Sequence, residues 1–315
     1  MEDEKFDVIH FHNISLVGGP KILGYGKAIK LYTMHEYWLV CPTHVLFKFN
    51  REACVKPSCF LCNIIHKRPP PLWRYTGLLE KAVKHVDAFI SPSRFAADMH
   101  MKMGLQIPTM HIPMFVPRPP DSVHQAATSK RHGNAVRPYF LFVGRLEKIK
   151  GLQNVIPIFM EYHHADLLIA GTGKYQKVLQ GLAMANPRIK FLGELAYEEL
   201  CALYSKASAV IVPSLCYETF GQVIVEAFSM KVPVIVKKIG ALQEIVAESG
   251  GGILYQEDSD LIKAMELLRT DPGLQNELGE RGYAAYLKYW TEDHYLEKYF
   301  KLISEIEIKK GLVPS

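Results

Sequence analysis

The chain has 315 residues, length for two domains at ~100–200 residues each. Hydrophobic residues make up 49% and charged residues 22%, a globular balance that excludes a disordered or collagen-like chain. Lysine and arginine number 37 against 32 aspartates and glutamates, and the resulting +5, read as spread along the chain, does not by itself indicate a nucleic-acid partner. No apolar run approaches the ~20 residues that span a bilayer, and the acidic start MEDEKFD lacks a signal-peptide pattern. With only six cysteines, clustered, the chain reads as soluble and cytoplasmic, with peripheral contact at the inner membrane face left open.

In chain order, FDVIHFH (6–12), IKLYTMH (29–35), VDAFIS (86–91) and TMHIP (109–113) are the strand candidates of a first domain, residues 1–117. Residues 118–138 are polar, with prolines near both ends and no periodicity, as expected of an interdomain linker. From 139 to 289 strands and helices alternate. YFLFV (139–143), DLLIA (166–170), IKFLG (189–193), AVIVP (209–213) and PVIV (233–236) are short continuous apolar runs, each followed by a helical stretch. Such runs predict a parallel sheet covered on both faces, doubly wound, with ligands at the carboxyl ends of its strands. Residues 290–315 carry an apolar stripe at helical spacing and predict a terminal helix that packs back toward the first domain.

The passage PSLCYETFGQVIVEAFSMKVPVIV (213–236) runs strand end, loop, helix, strand. Glu218 falls in the loop, Gly221 opens the helix, and Glu226 lies five residues on, about 7.5 Å along the axis. A glycine there lets a ligand approach the backbone, and the free N–H groups of the helix start suit a diphosphate. A carboxylate farther into the helix can accept ribose hydroxyls. Two glutamates eight apart are common, so it is the strand–helix setting that gives the pair meaning. The turn FVGRLEKIKGL (142–152) places Arg145 and Lys150 between Gly144 and Gly151 at the same sheet edge, where they can neutralise charge on a departing phosphate. An isolated basic loop of this kind would read as solvated surface.

These motifs together resemble the donor-binding half of a GT-B fold glycosyltransferase of the retaining family 4 type. The resemblance rests on GRLEKIKG, the GTG after the 166–170 strand, FLG at 191–193, ETFGQVIVE and IGALQEIV (239–246). The first segment is similar as well, through HFHN (10–13), TMHEYWLVCP (33–42) and ISPSRF (90–95). It implies two Rossmann-like domains, an α/β class. It also implies that Arg145 and Lys150 hold the donor pyrophosphate and Glu226 the nucleotide ribose. Glu218 would lie by the donor sugar, Phe220 and Gly221 beside the diphosphate, and His35 near the reacting centre, with Gly144, Gly171 and Gly173 in the donor-side turns. The expected partner is a UDP- or GDP-sugar together with a glycan or lipid-linked acceptor, and nothing points to nucleic acid.

The resemblance implies catalysis without a metal. The one D-x-D string, Asp258-Ser-Asp260, precedes an apolar-periodic run and reads as a helix cap. GTGKYQ lacks the third glycine of a dinucleotide fingerprint. Cys41, Cys54, Cys59 and Cys62, spaced C-x12-C-x4-C-x2-C, could form a structural zinc site, although free buried cysteines are also common. Relative to the family pattern the first domain is expected to lack its opening strand and glycine loop. That leaves an alternative open: an incomplete GT-B chain that binds nucleotide or a partner protein only.

Overall fold

The computed structural model describes residues 5–17, 19–119 and 137–312. The proposed linker, 118–138, lies almost wholly outside them. By its internal contacts the chain divides into two units. One takes the residues up to Met114 together with Cys216–Phe220 and everything from Asp293; the other takes Phe115–Leu215 and Gly221–Glu292.

The first unit contains β1 (Val8–Phe11), β2 (Ile29–Thr33), the short pair β3 (Phe47–Lys48) and β4 (Glu52–Ala53), α1 (Cys59–Ile65), α2 (Leu78–Val83), β5 (Ala88–Ser91), α3 (Arg94–Lys102) and β6 (Thr109–His111). Four of the strands form a parallel sheet in the order β1-β2-β5-β6, and β3 pairs antiparallel with β4 apart from it. All five residues of β2 are buried, because both faces of the sheet are covered. Phe11, Tyr32, Trp38, Leu79, Val83 and Phe89 pack on one face.

The second unit runs β7 (Tyr139–Val143), α4 (Leu152–Glu161), β8 (Asp166–Ala170), α5 (Gln176–Ala183), β9 (Ile189–Gly193), α6 (Tyr197–Tyr204), β10 (Ala209–Val212), α7 (Gln222–Ser229), β11 (Val234–Lys237), α8 (Gly240–Ser249), β12 (Gly252–Tyr255), α9 (Asp258–Thr270) and α10 (Pro272–Tyr289). Its six parallel strands lie in the order β12-β11-β10-β7-β8-β9. Read from the other edge this is the doubly wound order in which the direction of winding reverses between β7 and β10. A ligand crevice is expected at the carboxyl ends of those two strands.

The edge strand β12 is not among the strand candidates of the sequence, and it opens on Gly252, directly after Gly251. The structure needs both glycines, since a Cβ at 251 would meet Gly282 Cα at 2.6 Å and one at 252 would meet Val234 at 2.5 Å. The last helix, α11 (Glu292–Lys310), sets Leu302 and Ile306 against Ile29, Leu31, Ile90 and Ile112, the other face of the first sheet. Asp260 does close a helix start: its carboxylate accepts the backbone N–H groups of Gln256 and Glu257 at 3.1 and 3.0 Å.

Candidate functional site

The turn after β7 and the turns after β8 and β10 are locked together by glycines. Gly151, in the left-handed region at φ 81°, lies so close to the end of β10 that a Cβ would fall 2.0 Å from the Pro213 carbonyl oxygen. Gly171, at φ 126°, stands in the same relation to the Gly144 oxygen at 2.1 Å, and Gly173 to the Leu146 oxygen at 2.4 Å. Backbone bonds complete the lock, with Leu146 N–H donating to Thr172 at 2.8 Å and Leu215 N–H donating to Ile149 at 2.8 Å. Only glycine permits backbones this close. Beside the lock is a cavity of about 280 Å³, lined among others by Gly144, Arg145, Gly171, Thr172 and Glu194.

Arg145 borders this cavity with its side chain 73% exposed, paired at 3.2 Å with Glu147. An exposed pair of this kind is weak, so the guanidinium can turn to an anion at little cost. Lys150 ends the same turn half-buried. Across the switch point Gly221 caps α7, and a Cβ there would stand 3.0 Å from both Ile224 and Leu242. Ile224 and Val225 N–H donate to the Gly221 carbonyl at 2.9 and 3.3 Å, and a helix start of this kind suits an anion through the N–H groups before them. Glu226 lies on α7, where its Oε2 accepts the Tyr204 hydroxyl at 2.8 Å. Burial raises its carboxyl above the usual range, and the bonds from Tyr204 and Gln222 hold against that rise. Tyr204 carries no local sequence signal, being 22 residues away on α6.

Within the first unit the loop carrying Glu218 is hung on the segment carrying His35. Thr219 donates its hydroxyl proton to the His35 carbonyl at 2.8 Å, Tyr37 donates to the Glu218 carbonyl at 3.3 Å, and Ser93 donates to the Thr219 carbonyl at 2.7 Å. The Phe95 and Tyr217 rings meet in a tilted contact with centres 5.1 Å apart. So the passage ETFGQVIVE, continuous in sequence, is shared: Glu218 and Phe220 belong to the first unit, Gly221 and Glu226 to the second.

His35 ends a chain of rings. Its Nε2 lies 2.7 Å from His12 Nδ1, His12 and His10 have ring centres 4.0 Å apart, and His10 contacts Thr33 Oγ1 at 2.7 Å and the Tyr299 hydroxyl at 3.1 Å. Burial, and then the neighbouring histidine charges, push His35 down to about 4 and His10 to about 3. At neutral pH His35 is therefore uncharged. The roles of His10 and His12 escape the sequence reading, although the period-two spacing of HFHN sets both on one strand face.

All four clustered cysteines line a second cavity, in the first unit, beneath the β3–β4 pair. Among the described residues no group of three or more His, Cys, Asp or Glu side chains is already set to hold a metal ion. Cys201 and Cys216 are buried elsewhere as small apolar side chains.

Residues 126–285 match the family described as glycosyl transferases group 1, and the chain belongs to that family. It is 34% identical over 166 residues to an uncharacterised glycosyltransferase of Methanocaldococcus jannaschii, covering 50% of this chain and 40% of that one. It is 31% identical over 192 residues to a GDP-mannose-dependent mannosyltransferase of Corynebacterium glutamicum acting on a phosphatidylinositol monomannoside, covering 56% and 49%. The matches thus span about half or less of these relatives. Among solved structures it is similar to the sucrose-phosphate synthase of Thermosynechococcus elongatus (TM-score 0.73, 20% identity, covering 96% of this chain and 74% of that one). It is also similar to Anabaena HepE in complex with UDP (TM-score 0.71, 17% identity, 96% and 79%). These neighbours share the GT-B glycosyltransferase fold, in agreement with two Rossmann-like parallel-sheet units. Among the described residues no helix is long and apolar enough to cross a membrane.

Proposed function

We propose that this protein is a retaining glycosyltransferase that moves a sugar from a UDP- or GDP-linked donor to a glycan or lipid-linked acceptor. The observation that carries this reading is the glycine lock at the switch point, which opens a cavity bordered by Arg145 and sets Lys150 and the start of α7 at the same sheet edge. Relatives and neighbours that use or bind nucleotide sugars support it.

In this reading the diphosphate rests against Arg145, Lys150 and the first N–H groups of α7, while Glu226, steadied by Tyr204, accepts the ribose hydroxyls. As the sugar–phosphate bond breaks, the two cations take up the negative charge that a metal would otherwise hold. The D-x-D string, Asp258-Ser-Asp260, is read instead as part of a helix cap, with Asp260 accepting the backbone N–H groups of Gln256 and Glu257. The acceptor hydroxyl then attacks from the face the nucleotide leaves, so configuration is kept. Glu218 and the uncharged His35 act at the sugar and the acceptor hydroxyl, respectively.

A thermal-shift series with UDP, GDP, ADP and uridine tests the reading, since a ligand at 100 times its Kd stabilises by about 2.7 kcal/mol. One of the diphosphates should raise the melting temperature well beyond its nucleoside. If no nucleotide stabilises the chain, the donor site is misplaced.

A further inference from the structure

Helix α1 is oriented against hydrophobic logic. Cys62 and Asn63 are buried, whereas Phe60, Leu61, Ile64 and Ile65 are 55%, 52%, 52% and 44% exposed. Residues 60, 61, 64 and 65 share one face of the helix, and 59, 62 and 63 share the opposite one. Apolar burial alone would turn the helix over. Its internal bond from Asn63 Nδ2 to the Cys59 carbonyl at 2.9 Å would turn with it and so does not choose a face. The contact of His66 Nε2 with the Phe47 carbonyl, at 3.3 Å, ties down only the far end.

We propose that a zinc ion bound by the thiolates of Cys41, Cys54, Cys59 and Cys62 holds the thiol face of α1 inward. The four side chains come from three separate pieces of backbone and line one small cavity of about 20 Å³. Cys41 closes a turn onto the Tyr37 carbonyl at 2.7 Å, and Cys54 leaves β4 with its N–H on Leu46 at 2.7 Å. Cys59 and Cys62 lie one turn apart on α1. None of the six cysteines of the chain is in a disulfide. Four sulfur donors favour zinc over magnesium or calcium, which take oxygen.

The surroundings match the charge of such a centre. A zinc with four thiolates carries two negative charges, and residues 44–76 hold six cations against the single acid Glu52, an excess as large as the +5 of the whole chain. The thiols are not gathered in advance: Cys41 Sγ lies 3.2 Å from the Thr43 hydroxyl and Cys54 Sγ donates to the Lys56 carbonyl at 3.7 Å. Zinc replaces these weak contacts and draws the sulfurs to about 2.3 Å, each thiol giving its proton to solvent as it binds.

The test uses the full chain produced with zinc in the medium. Metal analysis and native mass spectrometry should find about one zinc per chain. Exchange for cobalt(II) should give the absorption of tetrahedral thiolate coordination. Replacing Cys59 and Cys62 together by serine should remove the metal, while Cys201→Ser should keep it. If the double variant does not fold, alkylation of the native wild type decides. Cys41, Cys54, Cys59 and Cys62 should resist the reagent until a chelator is added, and Cys201 should be indifferent to it. No zinc above background after zinc titration, equal alkylation with and without chelator, or a Cys59–Cys62 disulfide would overturn the proposal.

Discussion

The second unit builds its candidate site from backbone, and the first builds its sites from side chains. Around β7, β8 and β10 the turns touch one another at Gly144, Gly151, Gly171 and Gly173, leaving Arg145 and Lys150 to be presented by a fixed frame. In the first unit the histidine chain and the cysteine-lined cavity depend on rings and thiols from residues far apart in sequence. A frame made of backbone tolerates loss of any one side chain but not gain of a methyl group. A site made of side chains has the opposite sensitivity. Substitutions can test that difference directly.

The largest effect is expected on the side-chain-built half. Changing His35 to alanine should lower turnover by about 10²–10⁴-fold, the usual loss for a general acid or base, with nucleotide affinity held within a small factor. Steady-state kinetics beside nucleotide titration checks the split. Equal loss of both would make His35 a folding residue of the His12 network instead.

Next in size is the contrast between Arg145 and Glu226. One charge aimed at a developing anion is worth roughly 2.7–4 kcal/mol, so Arg145→Ala should cut transfer by on the order of a hundredfold or more. It should weaken UDP or GDP but spare uridine or guanosine. Glu226→Gln should weaken nucleoside and nucleotide alike. Calorimetric titration of both ligands on both variants decides, and losses in one common proportion would remove the assignment.

What was legible in the sequence follows the same division. DLLIA, YFLFV and IKFLG coincide with β8, β7 and β9, because continuous apolar runs have one use in a doubly wound sheet. Arg145, Lys150 and Glu226 could be singled out because their glycine-bearing turns are local motifs. The edge strand β12 was not among the strand candidates, and the purpose of Gly251-Gly252 is contact with Gly282 and Val234, invisible in a linear reading. Tyr204 beside Glu226 and Tyr299 beside His10 were hidden for the same reason, since a hydroxyl 22 or 289 residues away leaves no spacing to read. Nor does a motif show where it divides. ETFGQVIVE gives no hint that Glu218 hangs on the His35 segment while Gly221 packs beside Leu242.

The backbone frame itself should be sensitive to a single methyl group. Gly171→Ala places a Cβ against the Gly144 carbonyl in a left-handed conformation, strain of about 1–3 kcal/mol before any clash is counted. Denaturant melts should show at least that loss, and diphosphate binding should fall with it. Gly181→Ala is the control. It sits inside α5 with nothing within 4 Å of the new atom, so it should stabilise the protein by about 0.5–1 kcal/mol. If the two variants behave alike, the glycine lock does not frame the site.

The smallest effect concerns the histidine chain and acid. His10, His12 and His35 all have their folded pKa values lowered, to about 3 for His10 and about 4 for His35, with burial as the first cause. For a base lowered on folding, the unfolded chain binds more protons than the folded one between the two values. Stability therefore rises with pH across that window. The contribution is complete above the ordinary value of 6.5 and is lost as the pH falls from there toward 4 and then 3. Melting temperatures taken from pH 7 down to 4 should decline accordingly. His10→Gln cannot take up the proton and keeps an amide near the Thr33 hydroxyl and Tyr299 ring, so its decline should be shallower over the same interval. The variant is expected to begin less stable at pH 7 and to converge on the wild type as acid is added. Parallel curves would mean that the ring protonates without cost, and then burial among Thr33, Tyr299 and His12 would not be what keeps the chain of histidines neutral.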